Sequence, residues 1–182
     1  MLRIIGGFHK SRKIKEVSSK LTRPTTDRNK EAIFNILGQY FDGGVMVDLF
    51  SGSGALGIEA ISRGIDEVDF VENNNLAINT IKENLNNLKI TEGVSVIKLD
   101  VFDYLNTINK NFDLIIADPP YALNEYDKLL DIIASRQLLN NGGIIVFEAD
   151  KNTLLLERKG NIIKYKEKVF GNTKFAFYTL ED

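Results

Sequence analysis

The chain has 182 residues, 43% hydrophobic and 26% charged, enough to bury a real core at about the size of one domain. No apolar run approaches the roughly 20 residues that span a bilayer, the N-terminus lacks a signal-like apolar stretch, cysteine is absent and His9 is the sole histidine; membrane spans, disulfides and thiolate metal sites are excluded, and a cytoplasmic, metal-independent protein is expected. The net charge of −2 argues against a uniformly basic nucleic-acid binder.

The distribution of charge says more than its sum. Residues 1–30 carry nine Lys/Arg and two acids, whereas the remaining 152 residues carry 14 and 23. A cationic arm on an acidic body is either a phosphate-binding footprint or a solvated tail, and charge alone does not decide between them. Residues 2–5 and 12–17 are expected to form a small hairpin around Gly6-Gly7. From residue 25 to about 41 the apolar positions Ile33, Ile36, Leu37 and Tyr40 have the spacing of an amphipathic helix, ended by Gly43-Gly44.

Beyond that point strands and helices alternate. Strands are expected at 45–50, 68–72, 94–99, 114–117 and 144–148, with helices at 54–63, 76–88, 102–108 and 126–136. Most of these strands are continuous apolar runs, which indicates a parallel sheet covered on both faces. Residues 162–170 and 174–180, separated by Gly171-Asn172-Thr173, read as a terminal antiparallel hairpin. The fold class is α/β, mostly parallel and closed by that hairpin. No repeat or linker divides the chain, so one domain is expected, with a basic arm over 1–30 and a core over 31–182.

The strand at 45–50 runs into Ser51-Gly52-Ser53-Gly54-Ala55-Leu56-Gly57. Gly52, Gly54 and Gly57 fit G-x-G-x-x-G, and Glu72 follows the first of them by twenty positions, which by itself permits a dinucleotide dehydrogenase. Asp48 opposes that reading, because nicotinamide-binding strands are usually apolar there and a buried carboxylate needs a partner. In the methyltransferase version of the loop, Asp48-Leu49-Phe50-Ser51-Gly52-Ser53-Gly54, the acid helps to hold the amine-bearing end of S-adenosylmethionine. Glu72, with Asn73 beside it, is placed to take the ribose hydroxyls. Asp100 is placed to accept from the adenine amino group, with Val101 or Phe102 on the ring. Each acid alone is more often a surface residue; together they mark the carboxyl rim where open α/β sheets bind ligands.

Asp118-Pro119-Pro120-Tyr121 follows the strand at 114–117 and contains two of the chain's three prolines. The amino nitrogen of a nucleobase is a poor nucleophile, since its lone pair is delocalised into the ring. Acceptors aimed at its two N–H groups favour a tetrahedral nitrogen and stabilise the developing positive charge. Asp118 supplies one acceptor and the Pro119 carbonyl the other, with φ fixed by the prolines, including Pro120. Tyr121 offers a face on which an extruded base stacks. The bland alternative is a rigid turn after a buried strand.

The motifs Arg3-Ile4-Ile5-Gly6-Gly7, Arg23-Pro24-Thr25-Thr26-Asp27-Arg28, Asp48 to Gly57 and Asp118 to Tyr121 occur in this order and spacing. Together they closely resemble the bacterial family of 16S ribosomal RNA guanine-N2 methyltransferases, over essentially the whole chain. The resemblance implies a class I methyltransferase fold, S-adenosylmethionine as cofactor, and methylation of a guanine 2-amino group, the family's usual target being guanine 966. It implies 16S rRNA in the small ribosomal subunit or a late assembly intermediate as partner, and a monomer is expected. It also implies that Arg23, Thr25 and Thr26 lie over the cofactor and that the arm grips RNA, through Arg3, His9, Lys10, Arg12, Lys13 and Arg28.

The residues themselves support phosphate contact by Lys10, Arg12 and Lys13. Arg28 and Lys30 alternatively decorate a helix start, and a lone exposed histidine such as His9 is more often incidental. The chain departs from the family pattern at Asn73-Asn74-Asn75, where a second acid often stands two positions after the glutamate. It departs again at Asn172, usually an aspartate, and at Lys174, usually apolar. A DNA adenine-N6 methyltransferase would use the same tetrapeptide, a protein glutamine methyltransferase usually has Asn at 118, and a non-catalytic RNA-binding or assembly module stands as a different class.

Overall fold

The apolar runs become the parallel centre of one sheet. A computed structural model describes residues 2–18, 25–120 and 125–182. In chain order these form β1 (Leu2–Arg3), β2 (Lys13–Ile14), α1 (Asp27–Leu37), β3 (Val45–Leu49), α2 (Ala55–Ser62), β4 (Glu67–Glu72), α3 (Asn75–Leu88), β5 (Val94–Lys98), α4 (Val101–Thr107), β6 (Phe112–Ala117), α5 (Tyr126–Ser135), β7 (Leu139–Asp150), β8 (Arg158–Lys159), β9 (Ile162–Phe170) and β10 (Thr173–Leu180). The main sheet has the order β5-β4-β3-β6-β7-β10-β9-β8. Strands β3 to β7 run parallel; β9 and β10 form the expected antiparallel hairpin, and β10 lies between β7 and β9, antiparallel to both.

Strand alternation sends side chains into two separate cores. Val47, Leu49, Ile115, Ala117, Ile145 and Phe147 meet α4 and α5 on one face. Met46, Phe70, Leu114, Ile116 and Val146 meet α1, α2, α3 and the β1–β2 hairpin on the other. Helices on both faces satisfy a sheet that is apolar on both sides.

Four local expectations need correction. Helix α1 stops at Leu37, because Gly38 takes φ 98° there, and Tyr40 is left exposed rather than continuing an apolar stripe. Strand β7 is far longer than its apolar centre: Phe112 pairs with Leu139, while Leu114 pairs with Ile144, so the extra residues around Gly142 bulge outward without ending the strand. The terminal turn is two residues, since Thr173 already pairs with Phe170. Strand β8 is a short edge addition without a run of its own to announce it.

The departures at Asn172 and Lys174 are accommodated locally. The Asn172 carbonyl accepts from the Lys151 N–H. Lys174 is buried, yet its ammonium donates to the Thr153 carbonyl at 2.8 Å and pairs with Glu167 at 3.2 Å. A cation thus replaces an apolar side chain by bringing its own partners.

Candidate active site

Sheet register brings the acids to one edge. Leu49 lies between Val71 and Ala117, and Glu72 lies beside Lys98. The residues that follow, Phe50 to Gly54, Asn73, Asp100 and Asp118, therefore leave the sheet along a single rim. Phe50 turns there with φ 57°, and the Ser51 hydroxyl ties that turn to the Asp48 and Val71 carbonyls at 2.5 and 3.2 Å. Such a non-glycine φ is held only where the surroundings over-determine it.

Asp48 points from β3 toward the start of α2 and is 2% exposed. Its carboxylate accepts from the Gly57 N–H at 3.0 Å, where the free amide groups of a helix N-terminus favour an anion. That partnership does not offset burial. Desolvation raises the Asp48 pKa well above the ordinary carboxylate range, the Gly57 bond opposes it, and the charges of Asp118 and Glu72 push it up further. Three carboxylates thus act on one place.

The glycines differ in what they do. A Cβ on Gly57 would lie 2.4 Å from the Phe70 ring, so this glycine lets α2 settle on β4. A Cβ on Gly52 would meet nothing within 4 Å, although its φ is 56°. Its lack of a side chain leaves backbone open to a ligand on that side. The Gly52 N–H donates to Glu72 at 3.0 Å, and the other Glu72 oxygen accepts from Asn73 and Asn74, each at 2.9 Å. Asp100 caps α4, accepting from Phe102 and Asp103, and Tyr104 of that helix donates to Asp69 on β4 at 2.5 Å. Val101 is buried, and the partly exposed Phe102 ring has the Lys128 ammonium over it, 4.0 Å from the ring centroid.

At the far side of the glycine loop, Asp118 is half-buried, Pro119 buried and Pro120 exposed. Helix α5 opens just beyond, with the Tyr126 hydroxyl donating to the Glu148 carbonyl at 2.8 Å. Tyr121, Arg23 and Pro24 lie outside the described residues. Thr25 is buried, and Thr26 caps α1 through its hydroxyl.

The arm is built into the fold through residues the sequence reading did not single out. Glu59, fully buried on α2, accepts from the Ile5 and Gly6 N–H groups at 3.0 and 2.9 Å and from Arg63 at 2.9 Å. Ser62 donates to the Gly6 carbonyl and accepts from the His9 N–H, at 2.6 and 2.9 Å. A Cβ on Gly7 would lie 1.7 Å from the Ser62 carbonyl. Gly6-Gly7 is therefore a docking strip, and the hairpin turn itself falls at residues 7–11. Asn84 on α3 bonds both backbone groups of Lys15 and also donates to Ser53 of the glycine loop at 3.0 Å, joining arm to loop.

Two of these residues carry a sequence signal. Glu59 is the one acid within the apolar helix α2, and Asn84 stands on the buried face that Ile81, Leu85 and Leu88 define. Lys30 is corrected as well. Rather than decorating a helix start it is fully buried, donating to the Arg3 carbonyl and lying 3.6 Å from both Asp27 and Glu59. Burial lowers its pKa, against the pull of those two acids. Of the other arm cations, Arg3 pairs with Asp27 at 3.1 Å, Arg12 donates to the Asn87 carbonyl at 2.8 Å, and Lys10, Lys13 and Arg28 are exposed.

A family model described as conserved hypothetical protein 95 matches residues 2–179. The chain belongs to this family. Among proteins similar to this chain, the one named putative rRNA methyltransferase YlbH of Bacillus subtilis is 42% identical over 180 residues, covering 97% of this chain and 98% of its own. The protein named ribosomal RNA small subunit methyltransferase D of Haemophilus influenzae is 33% identical over 180 residues, covering 97% and 93%. A crystal structure from Haemophilus influenzae superimposes with a TM-score of 0.84 at 31% identity, covering 100% and 99%. These relatives bear out the family drawn from the four motifs, and the sheet order with its terminal hairpin is that of a class I methyltransferase. Among the described residues no helix is long and apolar enough to cross a membrane, and no group of three or more His, Cys, Asp or Glu is arranged to hold a metal ion.

Proposed function

We propose that this chain methylates the 2-amino group of a guanine in small-subunit ribosomal RNA, using S-adenosylmethionine, with the family's usual position 966 as the target. The observation that carries the reading is the convergence of Asp48, Glu72 and Asp118 around an open glycine loop beside the Pro119-Pro120 corner. An anionic rim suits a ligand with an ammonium and a sulfonium, and relatives named for ribosomal RNA methylation support the substrate class.

S-adenosylmethionine, when bound, supplies a methyl group activated by its sulfonium. The chain's residues bind and aim. Asp48 would hold the ammonium, Glu72 would accept from the ribose hydroxyls, and Asp100 with Phe102 would hold the adenine. The Asp118 carboxylate and the Pro119 carbonyl accept from the two N–H groups of the guanine amine, holding its lone pair toward the methyl carbon. After transfer, Asp118 takes the surplus proton or passes it to water. Tyr121 stacks on the base, and Arg23, Thr25 and Thr26 cover the cofactor. The basic arm, with Arg3, His9, Lys10, Arg12, Lys13 and Arg28, positions the RNA.

The test is transfer of labelled methyl to undermethylated small subunits, protein-free rRNA and DNA, followed by nucleoside analysis. The expected product is N2-methylguanosine from the ribosomal substrate. Label on adenine would overturn the amine assignment, and label on no nucleic acid would overturn the reaction.

The raised Asp48 pKa gives a second expectation. An unfolded aspartate ionises near about 3.9, whereas buried Asp48 keeps its proton to higher pH. Between those two values the unfolded chain binds fewer protons, so stability falls as pH rises, by about 1.4 kcal/mol per unit, and levels off above the folded value. Asp48→Asn keeps an acceptor for the Gly57 N–H and removes that slope. The variant should be more stable than the parent at neutral pH, equal to it in acid, and weaker in cofactor affinity. Denaturant melts across pH, with and without S-adenosylmethionine, read all three; parallel curves for the two proteins would refute it.

A further inference from the structure

We infer that Phe8 is a stacking platform for an unpaired nucleotide of the substrate RNA, distinct from the nucleotide that reacts; the inference rests on the proposed function. Phe8 is 91% exposed, although a ring of that size normally finds cover. Its exposure is enforced. The Phe8 N–H donates to the Ser62 carbonyl at 2.7 Å, the next N–H donates to the Ser62 hydroxyl, and Gly7 leaves no room for a Cβ. The turn closes through Lys10 to Gly7 and Arg12 to His9, with Ser11 at φ 70°. Backbone held this firmly keeps the ring in water.

The surroundings select the ligand. Residues 2–15 contain no acid, and Lys10, Arg12 and Lys13 of the same hairpin are exposed. Among the described residues neither Lys10 nor Lys13 has an ion-pair partner. An exposed aromatic ring on a hairpin that also carries exposed cations and no acid matches a base with its phosphates, the cations meeting backbone and the ring meeting the base. The His9 ring stands edge-on to Phe8 at 5.0 Å and 87°. Burial and Arg12 lower the His9 pKa, so the imidazole is neutral at pH 7 and buttresses the ring without adding charge.

Placement separates this nucleotide from the target. Ser62 ends α2, and the glycine loop precedes its first residue, Ala55. Eight residues at about 1.5 Å each put the platform roughly 12 Å from the loop, along the helix and away from the reacting edge. The RNA therefore meets the protein at two points, and the outer one is a specificity contact.

The test uses the full chain, which contains no tryptophan. Phe8→Trp introduces the chain's one tryptophan, whose fluorescence, excited beyond the absorption of the tyrosines, should be quenched by undermethylated small subunits or their rRNA. Phe8→Ala should raise KM for that substrate by between about fivefold and a hundredfold, the range for losing one stacked base. Turnover at saturation, S-adenosylmethionine affinity and the salt slope should be unchanged, since no charge is lost. Phe8→Leu should resemble alanine, and Phe8→Trp the parent. Full activity of Phe8→Leu would indicate an apolar contact with a protein and overturn the inference, as would an unchanged KM for Phe8→Ala. Quenching without methyl transfer would sink the proposed reaction while leaving the platform; transfer with an unquenched tryptophan and an unaffected alanine variant would do the reverse.

Discussion

Asp118→Ala should lower turnover by about 100- to 1,000-fold or more while the chain still binds S-adenosylmethionine, as removal of one preorganised polar group does where charge develops in a transition state. The side chain is placed by its neighbours. Ala117 is paired with Leu49 on one side and Phe147 on the other, so the sheet fixes the backbone up to the residue before it. Pro119 then locks the next φ and is buried. Alanine here removes an acceptor and a negative charge without disturbing either support. Asp118→Asn keeps one acceptor oxygen but loses the charge, and a smaller loss is expected. Cofactor affinity should fall only modestly in both variants, because Asp48 and Glu72 remain. Single-turnover methyl transfer with excess enzyme, alongside calorimetric binding of the cofactor, separates the two effects. Wild-type turnover by Asp118→Ala would remove the amine acceptor from the mechanism; loss of cofactor binding of the same size would recast Asp118 as part of the binding site.

The parts of this molecule that were legible in its sequence are those written in local pattern. Continuous apolar strands, the spacing of Gly52, Gly54 and Gly57, and an acid after each strand sufficed for the sheet and the rim, because strand order in such a fold follows from few choices. The hydrogen-bonding partners of buried polar groups were not legible. Glu59 reaches Gly6 and Asn84 reaches Lys15 across 53 and 69 positions, and such pairings are settled by how helices stack on the sheet. Lys30 shows the cost of reading charge locally: beside Arg28 it looks like surface, but its neighbour in space is Glu59. The ends of α1 and β7 differ from the sequence pattern for a related reason. Gly38 stops a helix whose apolar spacing runs on, and β7 continues past its apolar stretch because β6 and β10 are there to pair with it. Charge alone leaves the basic arm open between tail and binding surface; Ser62, Glu59 and Asn84 fasten residues 5–15 to α2 and α3, which excludes a loose tail there, and RNA contact is what the proposed tests address.

That bolt is also where the largest loss of stability is expected. Glu59→Ala should destabilise the chain by about 3–5 kcal/mol, the range for breaking a buried ion pair from one side. The carboxylate serves three customers at once: the Lys30 ammonium, the Arg63 guanidinium and the paired N–H groups of Ile5 and Gly6. Arg63 retains the Gln39 carbonyl and the Phe34 ring, so it is partly compensated. Lys30 retains only the Arg3 carbonyl and Asp27, which is equally near but partly exposed and so more screened, and its already lowered pKa should drop further. The sign of the pH effect follows. An unfolded lysine holds its proton to about 10.4, and a folded one that releases it earlier leaves the unfolded chain with more protons, so the variant should regain stability as pH rises between those values. Denaturant melts at neutral and alkaline pH measure this, and limited proteolysis of residues 2–15 reports whether the arm detaches first. Glu59→Gln, which keeps an acceptor for Ile5 and Gly6 but not the charge, should preserve the arm while retaining most of the Lys30 penalty. A loss that is small and flat with pH would mean that Lys30 finds water when Glu59 is gone. The buried pair would then be a consequence of the docked arm rather than its cause.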